Sequence, residues 1–398
     1  MARRVITKVH RRRRVVFGAV VLTAAVAVWS AGSALNRPAA GPVGRSTVVA
    51  VGSNPGPGAP AAWLANGRGG VYAHDGVGDM AAQNRGVPYL LYVPESAGRG
   101  VDVLDPETGR LVGHYATGLD PQHVVPSWDL KTLWATNDLA NTMTPFDPRT
   151  GRPAGPAVPV DDPYNLYFTP DGAEAIVIAE QRQRLDFLDP HTMAPRSVLQ
   201  LDCAGVDHAD VTADGRYLVA TCEFAGRVVE VDLRRHQVVR YVDLPRSSPQ
   251  DIRLSQDGRT FYVADKLLGG VHLLDAASLR ETGFLPTGRD AHGLYPSRDG
   301  TQLYVSNRGQ GTISVISFAT RQVVMTWSIP GGGSPDMGGV SPDGRVLWLS
   351  GRYNQAVYGI STTDGHLVHK LFVPNKPHGM SVWPQPGRHS LGHTGNMR

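Results

Sequence analysis

The amino-acid sequence predicts an all-β fold, a seven-bladed β-propeller of four-stranded blades, over residues 88–387. Three observations predict it. A unit of about 42 residues recurs seven times, each unit contains short apolar runs separated by turn residues, and no helical period competes with this pattern. The 398 residues, 41% of them hydrophobic, are sufficient to bury a core of that size.

The repeat is clearest at an Asp-Gly turn between two apolar runs, as in DPYNLYFTPDGAEAIVIAE and SPQDIRLSQDGRTFYVADK. Gly tolerates positive φ and Asp bonds its own backbone, so this pair predicts a hairpin. Counting the degenerate copies at both ends, the turn positions are spaced by 42, 43, 43, 42, 44 and 43 residues. They are Leu130, Gly172, Gly215, Gly258, Gly300, Gly344 and Gly387.

Two further apolar runs complete each unit, such as VVEVDLRRH followed by VVRYVDLP. By strand count, the array begins on the second strand of the first blade, Leu90 to Glu95, and ends on an innermost strand, Lys376 to Val382. That C-terminal strand is expected to complete the first blade and close the ring, which leaves no open edge. Residues 388–398 remain as a tail that caps the ring or adds to an edge. An eighth, irregular blade from residues 46–80 is the alternative to seven.

The N-terminal residues predict export. Residues 1–14 contain seven basic residues and no acid, which is typical of a cytoplasmic basic region. Residues 15–35 carry no formal charge and are long enough to span a bilayer as a helix, either as a signal anchor or as a cleaved signal peptide. The rest of the chain is therefore expected to be extracytoplasmic, membrane-anchored or secreted. Residues 36–87, rich in Gly, Pro and Ala, are interpreted as a linker.

The charge distribution argues against a nucleic-acid partner. The formal net charge of +4 comes from residues 1–14, because the rest of the chain has 32 basic and 35 acidic residues. Nucleic-acid binding normally needs clustered cations on the folded part. The expected partners are the membrane, through residues 15–35, and a small polar ligand or a protein, and the chain is expected to be a monomer.

The blades resemble the YVTN-type β-propeller repeat family, the YncE-like proteins. The resemblance rests on the turns TPDG at 169–172 and SPDG at 341–344 and on the strands YVADK at 262–266 and YVSNR at 304–308. It covers roughly residues 88–387. It implies a propeller and an extracytoplasmic binding protein with one of a diverse set of ligands. Because a fold does not define a function, the function has to be argued from the site.

Two aligned sets of residues are predicted to meet at one mouth of the central channel. The first set, at the start of the innermost strands, consists of His123, Asn165, Asp207, His208, Asp251, His292, Asp336 and His378. The second set, at the end of the neighbouring strands, consists of Glu95, Asp138, Glu180, Glu223, Lys266, Arg308 and Arg352. The second set is acidic on one side of the ring and basic on the other. Because adjacent strand residues alternate in direction, not all of these side chains are expected to face inward.

The polar mouth predicts a ligand-binding or scaffolding module. The alternative is an enzyme that uses the same residues, either a metal- or haem-dependent oxidoreductase or a lactonase-like hydrolase. A transition metal or haem would be held by His123, His208, His292 and His378, because imidazole is a common metal ligand. The His-Gly elements at His292 and His378 are similar to those of propeller metalloenzymes such as the nitrous oxide reductases. Histidines bonded to loop carbonyls are the third interpretation.

The two cysteines, Cys203 and Cys222, are expected on the same face of one blade. A disulfide between them, two free thiols and a thiolate ligand beside His208 are the alternatives. His389 and His393 lie in the C-terminal tail, which either folds under the ring and brings them to the site or is mobile; a Gly-rich, polar terminus favours the second interpretation.

Overall fold

The computed structural model describes residues 70–398. The predicted basic region, the predicted signal helix and residues 36–69 of the predicted linker lie outside the described residues. Within residues 70–398, no helix is both long and apolar enough to cross a membrane.

Short strands make up most of the described chain, together with two 3-10 helices, Ala82–Asn84 and Asp138–Ala140. The strands of the first three blades are β1 (Leu90–Pro94), β2 (Gly100–Leu104), β3 (Leu111–Ala116), β4 (Pro121–Pro126), β5 (Leu133–Asn137), β6 (Thr142–Asp147), β7 (Arg152–Pro153), β8 (Val158–Pro159), β9 (Asn165–Phe168), β10 (Ala175–Ala179), β11 (Arg184–Leu188) and β12 (Pro195–Gln200). Those of the fourth and fifth blades are β13 (Val206–Val211), β14 (Tyr217–Cys222), β15 (Arg227–Asp232), β16 (Gln237–Asp243), β17 (Pro249–Leu254), β18 (Thr260–Asp265), β19 (Gly270–Asp275) and β20 (Glu281–Pro286). The remaining strands are β21 (Ala291–Pro296), β22 (Gln302–Asn307), β23 (Thr312–Ser317), β24 (Gln322–Ser328), β25 (Pro335–Val340), β26 (Val346–Gly351), β27 (Ala356–Ser361), β28 (Leu367–Phe372) and β29 (Ser381–Trp383).

These strands form seven antiparallel sheets, one per blade, which confirms the predicted seven-bladed propeller of four-stranded blades. The C-terminal strand closes the ring, because β29 is the innermost strand of blade one in the order β29-β1-β2-β3. Leu91 of β1 pairs with Val382 of β29. In the other blades the innermost strands are β4, β9, β13, β17, β21 and β25.

Blade two has an interrupted outer edge. Its fourth strand is divided into β7 and β8, which both pair with β6. The sequence RPAGPAVP at 152–159 explains the interruption, because proline has no N–H to donate to a ladder.

The recurring Asp-Gly turn has a structural role in the blades. The Ser or Thr two residues before the turn Asp donates a hydrogen bond to its carboxylate, as from Thr212 Oγ1 to Asp214 Oδ1 at 2.7 Å and from Ser341 Oγ to Asp343 Oδ1 at 2.6 Å. The following Gly has positive φ, for example 70° at Gly215, which L side chains rarely adopt. The repeat seen in the sequence is therefore the signature of this hairpin. We call the face of the ring that carries these turns the turn face, and the opposite face the mouth.

Both ends of the described chain pack on the turn face. Residues 70–87, within the predicted linker, include Tyr72, which is 5% exposed and donates a hydrogen bond from its hydroxyl to Leu254 O at 2.7 Å. The C-terminal tail also packs there, since Phe168 N donates to Leu391 O at 3.1 Å and Arg398 Nη2 lies 2.6 Å from Asp210 Oδ1. The tail is thus an ordered plug at this end of the channel, which agrees with the predicted cap and not with a mobile terminus.

Candidate functional site

β-Bulges in the innermost strands bring the polar residues of the first predicted set into the channel. The β-ladders skip two residues in five of these strands, and the skipped pairs are 122–123, 207–208, 250–251, 292–293 and 336–337. A bulge breaks the strict alternation of side chains and re-aims them. Sequence neighbours such as Asp207 and His208 can therefore both be fully buried at the channel.

Five imidazoles meet inside the ring, four from the predicted metal set and one from the tail. His123, His208 and His393 are 0% exposed, His378 is 1% exposed and His292 is 2% exposed. Their ring centroids are 5.7 Å apart for His123 and His208, 5.0 Å for His123 and His378, 4.9 Å for His208 and His393, and 6.2 Å for His208 and His292. We call these five residues the histidine cluster.

His393 is the member that sequence reasoning missed. It lies outside the repeat, so no alignment of blades points to it. The tail carries it into the channel through a hydrogen bond from His393 N to Leu166 O at 2.9 Å, and its ring stacks on Tyr167 with an interplanar angle of 4°. His389, by contrast, stacks on Trp128 and is not part of the cluster.

Hydrogen bonds define the tautomers of two members. His123 Nδ1 lies 2.8 Å from the carbonyl oxygen of Tyr164, so Nδ1 carries the hydrogen. His378 Nδ1 lies 2.8 Å from Gln122 Oε1, whose amide is oriented by donation from Nε2 to Asp120 Oδ1. Both residues therefore direct an unprotonated Nε2 into the channel, which is the usual arrangement of a metal-ligating histidine.

His393 has the opposite tautomer. Its Nδ1 lies 3.1 Å from Asn165 Nδ2, and Asn165 Oδ1 accepts a hydrogen bond from Leu166 N at 2.9 Å. The Asn165 amide thus donates to His393 Nδ1, which leaves the hydrogen of the neutral ring on Nε2. Coordination through Nε2 would require this hydrogen to move to Nδ1 and the amide to turn.

Six nitrogen atoms of the cluster are buried without a hydrogen-bond partner among the described residues. They are His123 Nε2, His208 Nδ1, His208 Nε2, His292 Nδ1, His378 Nε2 and His393 Nε2. Ligand atoms of His123, His208 and His393 lie within 4.8 Å of one another, and so do those of His292, Asp336 and His378. The cluster therefore offers converging nitrogen donors, of which His208 Nδ1 and His292 Nδ1 also face carboxylate oxygens of Asp207 and Asp336 at 3.4 and 3.2 Å.

Burial is the main influence on the protonation of the cluster. It lowers the pKa of His123, His292, His378 and His393 well below the ordinary value, so these rings are neutral. At His208 burial also acts to lower the pKa, but the neighbouring Asp207 outweighs it and the pKa is raised.

The three carboxylates of the first predicted set are fully buried around the cluster. Asp251 is used structurally, because its oxygens accept hydrogen bonds from Ile252 N at 2.9 Å and Leu294 N at 2.8 Å. Asp207 Oδ1 accepts from Thr221 Oγ1 at 2.6 Å, whereas its Oδ2 has no hydrogen-bond partner and lies 3.4 Å from His208 Nδ1. Asp336 Oδ2 is likewise buried without a hydrogen-bond partner, so Asp207 and Asp336 each offer one free carboxylate oxygen to the cluster.

Two acids of the second set, Asp138 and Glu180, hold their protons unusually tightly. Burial, followed by repulsion from Asp207 and Glu223, raises the pKa of Glu180 to about 8. Burial and the neighbouring Asp162 raise the pKa of Asp138 to about 7. Glu223 forms an ion pair with Lys266 of the basic side.

The basic side is organised around Asp336. Arg308 binds Asp290 through Nε at 2.9 Å and Asp336 through Nη1 at 3.0 Å. Arg352 is held more loosely, since its Nη1 is 3.7 Å from Asp336 Oδ2 and its side chain is 20% exposed. Asp336 also lies 3.2 Å from His292 Nδ1, which links this side to the cluster.

Glu95, the remaining member of the second set, contacts other strands of its own blade. Its carboxylate lies beside Asp102 and His114. The predicted set is therefore divided, with six members at the mouth and Glu95 in a separate group.

Cys203 and Cys222 form a disulfide. It joins the segment before β13 to the end of β14, and both residues are fully buried. Of the three alternatives, the structure therefore contains the disulfide and neither free thiols nor a thiolate ligand.

The fold and the site together define a β-propeller with a histidine-lined, polar channel. Residues 271–387 match the model of the YNCE-like beta-propeller family, which confirms the resemblance seen in the repeats. No curated protein matches the sequence of the chain.

Solved structures share the fold at low sequence identity. Hydrazine synthase from Kuenenia stuttgartiensis aligns with a TM-score of 0.60 and 18% identity over 71% of this chain and 94% of the other. The dihydro-heme d1 dehydrogenase NirN in complex with DHE aligns with a TM-score of 0.58 and 15% identity over 76% and 77%. A functionally unknown protein from Desulfotomaculum acetoxidans aligns with a TM-score of 0.63 and 15% identity over 74% and 98%. At these identities the likeness concerns the fold alone.

Proposed function

We propose that the chain is an extracytoplasmic binding propeller whose ligand is a transition-metal ion, held in the channel by His123, His208 and His393. The observation that carries this proposal is the set of six buried nitrogen atoms without partners in the histidine cluster. A buried polar atom without a hydrogen bond costs about 1–3 kcal/mol. Four of the six have a carboxylate oxygen within 4.0 Å that compensates part of this cost, and the other two, His123 Nε2 and His208 Nε2, together cost about 2–6 kcal/mol. A ligand that several nitrogens share removes much of that cost.

The donor set selects the class of ligand. Imidazole nitrogen suits zinc, copper, iron and nickel, whereas calcium and magnesium require oxygen. Asp207, with a free Oδ2 next to His208, supplies negative charge beside a cation. His123 donates a hydrogen bond to Tyr164 O, and His378 donates one to Gln122. At metal sites the second ring nitrogen of a ligating histidine commonly makes a hydrogen bond of this kind, which orients the ring.

The same geometry argues against the other candidates from the sequence. The rings of the cluster contact one another, with centroids 4.9–6.2 Å apart, so no slot for a haem opens between them. A hydrolase with a serine nucleophile would need a histidine free to act as its base, and the Ser247–His272 pair does not supply one. Ser247 and His272 lie 3.4 Å apart, but Asp265 accepts hydrogen bonds from both, and Glu281 accepts from the other ring nitrogen of His272. His272 is therefore not free to act as a base.

A metal-dependent oxidoreductase is the second candidate, and Arg352 favours it. The guanidinium donates no hydrogen bond among the described residues, is partly exposed at the mouth, and lies near Asp336, whose carboxylate contacts His292 and His378. It is placed to bind an anionic substrate beside the ion. Reversible one-electron reduction of a loaded copper or iron ion, with a potential that responds to small carboxylates, would favour this role over simple binding.

The metal content of the purified full chain tests the main proposal. Elemental analysis of protein produced in an oxidising compartment should give one equivalent of zinc, copper, nickel or iron that depends on these three histidines. That equivalent should disappear in each of the variants His123→Ala, His208→Ala and His393→Ala. The control His191→Ala removes an exposed histidine and should keep it. Wild type that takes up no more ion on titration than these three variants would refute the proposal.

Export is part of the same proposal. It rests on the charge pattern of residues 1–35 and is supported by the Cys203–Cys222 disulfide, because disulfides persist mainly in oxidising compartments. Fractionation of cells that express the tagged chain tests it. Recovery of the chain in the cytosol with free thiols would overturn this part.

A further inference from the structure

A second group of metal-ligating side chains lies in blade one. Glu95 follows β1, Asp102 lies on β2 and His114 lies on β3, and one ligand atom from each lies within 4.8 Å of the others. Asp102 and His114 are direct partners in the β2–β3 ladder. Three adjacent strands therefore each direct one oxygen or nitrogen donor to a common point.

The group has more buried negative charge than the protein neutralises. Glu95 is 2% exposed and Asp102 is 5% exposed, and no Lys or Arg in residues 70–398 forms an ion pair with either. The one basic neighbour is His114, whose Nδ1 lies 2.7 Å from Asp102 Oδ1 and 3.9 Å from Glu95 Oε1. Asn375 Nδ2 donates to Glu95 Oε2 at 2.8 Å, but Glu95 Oε1 is buried without a hydrogen-bond partner. With both acids ionised, even a protonated imidazole would leave one negative charge uncompensated.

Blade five shows how a similar group is satisfied by protein alone. There His272 lies between two acids and uses a different nitrogen for each, Nε2 to Asp265 at 2.9 Å and Nδ1 to Glu281 at 2.8 Å. In blade one both acids approach the same nitrogen of His114, and one carboxylate oxygen remains free. The blade-one group therefore leaves one buried carboxylate oxygen without a partner, whereas in blade five each acid has a nitrogen of its own and Glu281 is also 40% exposed to solvent.

We propose that Glu95, Asp102 and His114 bind a divalent cation of the zinc or manganese class. Two carboxylate oxygens and one imidazole nitrogen suit these ions, and a double positive charge matches the two carboxylates. The side chain of His114 is 51% exposed, so the ion can enter from solvent and keep water in its remaining positions.

The position of the cation defines its role. It would join β1, β2 and β3 in the blade that the C-terminal strand closes, and Asn375 connects Glu95 to the segment that leads into β29. The cation would therefore stabilise the closed ring, independently of whether the histidine cluster binds an ion.

The test separates this site from the histidine cluster. In the full chain carrying His123→Ala, equilibrium dialysis against Zn²⁺ and, separately, Mn²⁺ should still show one bound ion per chain. Adding His114→Gln, a change at a half-exposed side chain, should weaken that binding at least tenfold and remove the rise in Tm that the ion causes. The matched control is His366→Gln, since His366 contacts Asp364 at 2.6 Å in a similar but exposed pair that has no second carboxylate.

Two results would overturn the inference. One is the absence of Zn²⁺ and Mn²⁺ binding in the His123→Ala chain. The other is binding that His114→Gln and Asp102→Asn leave unchanged. Failure of the histidine cluster alone would appear as a wild-type chain that binds one ion, loses it on His114→Gln and is insensitive to His123→Ala.

Discussion

Removing the ion from the histidine cluster should lower the free energy of unfolding by about 4 kcal/mol. An ion would satisfy one nitrogen on each of His123, His208 and His393, and each such atom costs about 1–3 kcal/mol when it is buried unpaired. Three of them bound the effect at about 3–9 kcal/mol. Mass action gives a value inside this range, because a free ion concentration of about a thousand times the Kd stabilises the folded state by about 4 kcal/mol.

Calorimetry of the full chain, metal-loaded and chelated, measures this effect. At roughly 2 °C per kcal/mol for a domain of this size, Tm should fall by about 8 °C on chelation. The variant His123→Ala should show only the part of that change that the blade-one cation causes, whereas His191→Ala should behave like wild type. Equal Tm values with and without metal, together with a large loss of stability in His123→Ala, would show that these histidines are structural and would refute the reasoning.

Three further predictions follow from the site. Replacing Asn165 by Asp should tighten ion binding about tenfold, because a carboxylate accepts the hydrogen of His393 Nδ1 and releases Nε2 for coordination; competition with a coloured chelator measures it, and weaker binding would contradict the tautomer argument. Replacing Cys203 and Cys222 together by Ser should lower the free energy of unfolding by about 3 kcal/mol, because their separation of 19 residues closes a loop in the unfolded chain; a denaturant titration that shows no change would contradict this. The pKa of Glu180 is about 8 in the folded chain against an ordinary 4.5. The stabilisation that its proton gives the folded state is therefore complete below pH 4.5 and is lost as the pH rises from 4.5 through 8. Glu180→Gln should therefore gain stability relative to wild type between pH 5 and 9, on the order of 2–4 kcal/mol, in denaturant titrations over that range, and a constant difference would contradict it.

The sequence by itself determined the architecture of the ring. The spacing of the Asp-Gly turns and the four apolar runs per unit are local features, and each corresponds to a hairpin or strand in the structure. The offset of the array, which begins on a second strand and ends on an innermost one, was sufficient to predict closure by β29. Alignment of the repeats also placed four histidines in the two-residue site at the start of the innermost strands, His123 and His208 as its second residue and His292 and His378 as its first.

Only the tertiary structure decided which side chains converge. Bulges in the innermost strands turn Asp207 and His208 toward the channel together, and strand alternation read from the sequence has no signal for such a shift. His393 joins the cluster from a tail without any repeat, because its position depends on contacts with Leu166 and Tyr167, which are distant in the chain. Glu95 separates from the mouth for the same kind of reason, since its neighbours Asp102 and His114 are set by pairing within blade one. Periodicity reports local geometry, whereas a binding site depends on distances that exist only once the ring has closed.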